Sequence, residues 1–76
     1  MTDNILSAFG SHVKKLRSDR NLSQEKLALI CGLDRTYISG IERGTRNVSL
    51  LNIAKVAEAL AVSPSELFQF GDDNVE

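Results

Sequence analysis

Four stretches of the chain repeat apolar residues at steps of three and four, the spacing that puts them on one side of an α-helix. From Ile5 to about Arg20 the repeating residues are Leu6, Phe9, Val13 and Leu16. After Ser23, a good N-cap, they are Leu27, Ala28, Ile30 and Cys31. After Asp34, a second capping residue, Tyr37, Ile38 and Ile41 lead to about Arg43, and Gly44 follows. Ser49 then opens a helix with Leu50, Ile53, Ala54, Ala57 and Leu60 as its apolar face. Ser63, Pro64 and Glu66 supply an N-cap, a first-turn proline and a capping-box acid, which predicts a fifth short helix to about Gln69 carrying Leu67, Phe68 and Phe70. The expectation is an all-α, compact five-helix domain over residues 1–71, frayed over 1–4 and ended by Gly71, with an acidic tail at 72–76.

The second and third helices are joined by a short turn containing Gly32, a residue that readily adopts the left-handed conformation of a helix end. Two short helices around such a turn have the form of a helix-turn-helix, whose second helix enters the major groove of DNA. At about 100° per residue, Asp34, Tyr37, Ile38 and Ile41 fall on one side of that helix. Thr36, Ser39, Gly40 and Arg43 fall opposite, with Arg35 at the edge. This outer side lacks the Glu and Lys that usually solvate a helix. It spends helix propensity on small polar residues instead, as close approach to another surface requires. Arg35 and Thr36, at the N-terminal end, are placed to reach base edges. An ordinary polar helix face is the plainer alternative.

Composition fits a soluble globular chain, at 42% hydrophobic and 25% charged over 76 residues. So short a chain buries only about 60% of its unfolded surface, so association would help stabilise it. No apolar run approaches a membrane span and no leader pattern is present, so a cytoplasmic protein is expected. The single cysteine, Cys31, rules out an internal disulfide and reads as a small buried filler. His12 stands without ligand-spaced partners, so neither a metal site nor any other cofactor is expected. A net charge of −1 argues against nucleic acid taken alone, but the charge is polarised. Between His12 and Arg46 eight Lys and Arg face four acids, whereas from Asn47 onward one Lys faces five. Phosphate attraction depends on local positive charge, so this distribution is compatible with DNA.

SQEKLA, Gly32 and ISGIERG reproduce the pattern S-Q-E-x-L-A, turn Gly, I-x-x-I-E-x-G, and the chain resembles the lambda-repressor-like (Cro/C1, XRE) family over almost its whole length. Within that family GLDRTYISGIERGTRNVSL is similar to the controller proteins of restriction-modification systems, small homodimers that bind operators near their own gene. The resemblance implies base-reading or groove-lining roles for Arg35, Thr36, Tyr37 and Ser39. It also implies phosphate contacts from Gln24, Arg43, Arg46, Asn47 and Ser49, and an ion pair between Arg17 and Glu42. The chain departs from many phage repressors at Gly40, where a longer side chain often reads bases. The implied partner is double-stranded DNA with a palindromic site. RNA polymerase is a further candidate, with Glu25 among the exposed acids that could touch it, and no small-molecule effector or membrane is implied.

Plainer readings stand beside these. Arg46 and Asn47 could form only a polar turn, Arg17 and Glu42 only an exposed pair, and Tyr37 could mainly pack. Leu67, Phe68 and Phe70 exceed one helix face, so some of them, with Val62 and parts of the fourth helix, are expected to form a two-fold interface. A prophage repressor or antitoxin-type regulator, and a protein-docking module on the same fold, are the alternative functions. An enzyme is disfavoured, because the chain offers no carboxylate pair, phosphate-binding glycine loop or nucleophile with an evident base.

Overall fold

A computed structural model describes the backbone of residues 2–70 and the side chains of residues 5–70. The proposed acidic tail and the stop at Gly71 lie outside the described residues. Helix α1 spans Thr2–Asp19, α2 Gln24–Cys31, α3 Arg35–Arg43 and α4 Leu50–Leu60. The expected fifth helix is a 3-10 turn, Pro64–Phe68, since five residues are too few to develop an α-helical ladder. Its capping box forms as read: the Ser63 N–H donates to Glu66 Oε1 at 2.7 Å, and the Glu66 N–H donates to Ser63 Oγ at 3.3 Å. At the other end α1 already includes residues 2–4, so three of the four residues expected to fray are helical.

Helices α2, α3 and α4 end in the same way. The residue after each adopts the left-handed conformation, at Gly32, Gly44 and Ala61, and the next N–H returns to a carbonyl in the last turn. Those return bonds run from Leu33 to Ala28, from Thr45 to Gly40 and from Val62 to Ala57, at 2.9 to 3.0 Å. Glycine fits this conformation in two of the three cases, while Ala61 holds it with a Cβ.

The core gathers Phe9 and Val13 from α1, Leu27, Ala28 and Cys31 from α2, Ile38 and Ile41 from α3, and Val56, Ala57 and Leu60 from α4. Leu67 closes it from the terminal turn and is fully buried. That overturns its assignment to a dimer interface: the single large side chain the turn points inward fills the space between α1 and α4. Three residues of the predicted apolar faces also lie outside. Ile30 is half exposed, Leu50 is 82% exposed, and Ala54 is exposed, because α4 turns Ile53, Val56, Ala57 and Leu60 inward instead.

Helix α1 crosses α3 very closely at Gly10. A Cβ there would overlap the carbonyl oxygens of Ile41 and Glu42, so this buried glycine sets the distance between the first helix and the motif.

Candidate nucleic-acid interface

The turn between α2 and α3 leaves the N-terminal half of α3 open to solvent. Arg35 and Thr36 are exposed, while Ile38 and Ile41 anchor the opposite side in the core. Asp34 occupies the N-cap position of α3 through its backbone alone. Its exposed carboxylate makes no capping hydrogen bond.

Arg35 is connected to the interior through a chain of hydrogen bonds. Its guanidinium donates to Gln24 Oε1 at 3.3 Å, and Gln24 Nε2 donates to Glu42 Oε1 at 3.0 Å. Glu42 in turn receives both arms of Arg17, at 2.6 Å from Nε and 3.1 Å from the second arm. The remaining terminal nitrogen of Arg17 donates to the Leu22 carbonyl at 2.6 Å. Only 3% of the Glu42 side chain and 12% of the Arg17 side chain reach solvent, so the pair is an interior one that ties α1 to the end of α3. The hydrogen bond to Glu42 raises the Arg17 pKa above its ordinary value, against the opposing effect of burial.

Gln24 therefore has a role the sequence reading lacked: its amide bridges the buried pair and the exposed Arg35. Arg17, Ser23, Gln24, Glu25 and Arg35 together line a polar hollow at the start of α2. The Ser23 hydroxyl accepts the Lys26 N–H and so caps the first turn of α2.

The other candidates separate into two groups. Along α3 the Arg43 guanidinium donates to Ser39 Oγ, so these two residues are neighbours on the outer side. Beyond α3, Thr45 folds back, its hydroxyl donating to the Gly40 carbonyl at 3.1 Å. Arg46 lies over the Tyr37 ring, 5.3 Å from its centroid. Tyr37 is half buried, and its hydroxyl accepts from Asn52 Nδ2 at 3.2 Å. Asn52, in the first turn of α4, escaped the sequence reading because nothing in its spacing signals a contact fifteen residues away.

Ser49 caps α4 by accepting the Asn52 N–H, which leaves its hydroxyl proton free to donate elsewhere. Asn47 is exposed at the rim of an apolar hollow formed with Ile5, Leu6, Val48, Ile53 and Phe68. The outer-face reading of α3 needs one correction. Gly40 is buried, covered by Arg46 and Thr45, because the loop after α3 doubles back across it.

The expected interface residues divide as well. Phe68 is 44% exposed and packs at a tilt against Phe9 and Phe70, whereas Val62 and Phe70 pack partly against the monomer core. Leu50 and Leu51 at the start of α4 are more exposed still, at 82% and 67%, as is Leu29 on α2 at 73%, and Ile5, which lines the hollow with Phe68, is 51% exposed. Among the described residues no cluster of His, Cys, Asp and Glu could hold a metal, and no helix is long and apolar enough to cross a membrane.

Residues 13–67 match the HTH_3 helix-turn-helix family. The chain is 59% identical over 71 residues to control protein C.BamHI of Bacillus amyloliquefaciens, covering 92% of this chain and 88% of that one. It is also similar to the restriction-modification controller protein C.AhdI from Aeromonas hydrophila, whose crystal structure superposes with a TM-score of 0.82 at 56% identity, covering 83% of this chain and 96% of that one. A third likeness is to the controller protein C.Esp1396I, solved as a tetramer with its natural 35-base-pair operator. That structure gives a TM-score of 0.78 at 40% identity over 86% of each chain.

Proposed function

The chain belongs to the HTH_3 helix-turn-helix family, and from that premise we propose that it is a sequence-specific regulator of transcription, a homodimeric controller protein of a restriction-modification system that binds a palindromic operator. The observation that carries the DNA reading is the exposed N-terminal end of α3, with Arg35 linked through Gln24 to a buried ion pair. An arginine so oriented can donate two hydrogen bonds to guanine O6 and N7, worth about 1–3 kcal/mol against a wrong base. The controller role rests on the 59% identity to C.BamHI across nearly the whole chain. No catalytic step and no cofactor enters this reading, and a regulator acting on DNA works in the cytoplasm.

Thr36 and Ser39 line the groove beside Arg35, and Tyr37 contributes its edge. Gln24, Arg43, Arg46, Asn47 and Ser49 hold the phosphates, which adds register and salt dependence but no sequence information. Two copies join through Phe68, Leu50, Leu51 and Ile5, a surface whose exposure exceeds that of Val62 and Phe70. Such a dimer sets two recognition helices about 34 Å apart, one turn of DNA. Glu25, exposed on α2, is the candidate contact to RNA polymerase.

Selection from random duplex DNA at fixed salt tests the proposal. Wild type should enrich an inverted repeat, and Arg35→Ala should relax one symmetric base preference in each half. Salt-sensitive binding with no enriched motif would reject it in favour of a protein-docking module. Sedimentation supplies the oligomer test: wild type should run as a dimer and Leu50→Glu as a monomer, and a monomeric wild type at tens of micromolar would overturn the two-fold arrangement.

A further inference from the structure

Gly40 lies in the middle of a helix whose outer side is meant to face DNA, yet it is covered by its own chain. A Cβ at this position would stand 2.8 Å from Arg46 Cγ, 3.2 Å from Arg46 Nε and 3.3 Å from Thr45 Oγ1. The first distance is shorter than packed carbons tolerate, so the aliphatic stem of Arg46 runs through the space any other residue would fill. Tyr37, three residues earlier, borders Gly40 at the boundary between the two sides of the helix, and the Arg46 guanidinium lies over its ring. The notch therefore has a glycine floor and a tyrosine wall. Thr45 fixes the loop at its mouth, since its N–H and its hydroxyl both donate to the Gly40 carbonyl, at 2.9 and 3.1 Å. Asn52 steadies the wall by donating to the Tyr37 hydroxyl.

We infer that Gly40 is a positioning residue for DNA recognition: its missing side chain seats Arg46 against Tyr37, holding that guanidinium ready on the α3 surface before DNA arrives. The inference rests on the reading of Arg46 as a DNA contact. An unseated arginine samples many rotamers and must lose them on binding, which weakens affinity by about threefold to tenfold for one long side chain. Glycine also lowers helix propensity, so its presence mid-helix runs against stability and needs a compensating reason. Close approach of DNA to the glycine itself is the rival reason, and the two differ in whether Arg46 mediates the effect.

The test is a mutant cycle of Gly40→Ala, Arg46→Ala and the double variant, titrated against the inverted repeat that wild type selects. Gly40→Ala should weaken binding about threefold to tenfold while the melting temperature stays level or rises. In the Arg46→Ala background the same change should leave affinity unaltered. Tyr37 is the only tyrosine and the chain has no tryptophan, so intrinsic fluorescence of the free protein reports on the seat directly. Gly40→Ala and Arg46→Ala should shift that signal alike. Should Gly40→Ala fail to fold, the double variant should recover the fold, because the obstructing stem is gone. A double variant that stays unfolded would overturn the inference. So would a single Gly40→Ala that binds as wild type, or a loss that persists without Arg46. If Arg46→Ala alone binds as wild type, the DNA-contact reading of Arg46 falls, and this inference falls with it.

Discussion

Removing the Glu42 carboxylate should cost far more than the loss of a surface ion pair. The Arg17 and Glu42 side chains are 12% and 3% exposed, and the two bonds between them are joined by a third from Gln24. Exposed pairs contribute about 0.2–1 kcal/mol. Deleting one member of a buried pair costs about 3–5 kcal/mol, because the other charge is left in the interior without compensation. Glu42→Ala strands the Arg17 guanidinium and releases Gln24, so we expect a loss of about 3 kcal/mol. For a domain of this length that lowers the melting temperature by roughly 12 °C or more.

Circular-dichroism melts and urea titrations at one protein concentration measure the loss, since a dimer's apparent stability depends on concentration. Arg17→Met combined with Glu42→Leu should recover most of the stability, because apolar replacement of both partners removes the uncompensated charge. The same double variant should still bind its operator less well, as Gln24 has lost its anchor and Arg35 its orienting partner. A destabilisation below about 1 kcal/mol in Glu42→Ala would place the pair with surface bridges and refute the argument.

Ala61→Gly should stabilise the protein by about 0.5–1 kcal/mol, since φ of 61° is left-handed and strained for a residue with a Cβ; a lowered urea midpoint would contradict this. Gly10→Ala should destabilise by about 2 kcal/mol despite alanine's better helix propensity, because the obstructing atoms are backbone carbonyls of α3 that cannot swing aside; an unchanged melting temperature would sink the close-crossing account. Burial raises the Cys31 thiol pKa, against the opposing charge of Lys55. The folded state therefore holds the thiol proton more tightly than the unfolded chain, and the contribution is complete below the ordinary thiol pKa and lost as pH rises through the folded value. Reaction with a thiol reagent at neutral pH should be slow until denaturant is added. Above roughly pH 8.5 the urea midpoint of wild type should decline more than that of Cys31→Ala, and parallel declines would disprove the assignment.

Local chemistry was legible where it acts over a few residues. Ser23, Ser49 and Ser63 each cap the helix that follows through their side chains, and Gly32 and Gly44 close α2 and α3. Each signal needs only a hydrogen bond or a backbone angle within about four positions. Periodicity was less informative about coverage. It marked Ile30, Leu50 and Ala54 as inward, although all three reach solvent, because a three-and-four repeat names an apolar side without saying which neighbours cover it. Leu67 and Phe68 show the same limit: adjacent large apolar residues must point apart, but only the gap between α1 and α4 decides which one enters the core.

Contacts between distant residues belong to the tertiary structure. The pairing of Arg17 with Glu42 followed from family resemblance and not from spacing, and the bridge from Gln24 to Arg35 has no sequence signature at all. Gly10 and Gly40 look alike in the sequence, as glycines inside helices. One admits the α3 backbone and the other an arginine from the following loop. By itself the sequence determined the first four helices, the capped ends of α2, α3 and α4, and the helix-turn-helix, because capping and propensity act along the chain. How far α1 stands from α3, which apolar groups remain exposed, and where Arg35 and Arg46 are held were decided only by packing, since excluded volume acts between residues that the chain keeps far apart.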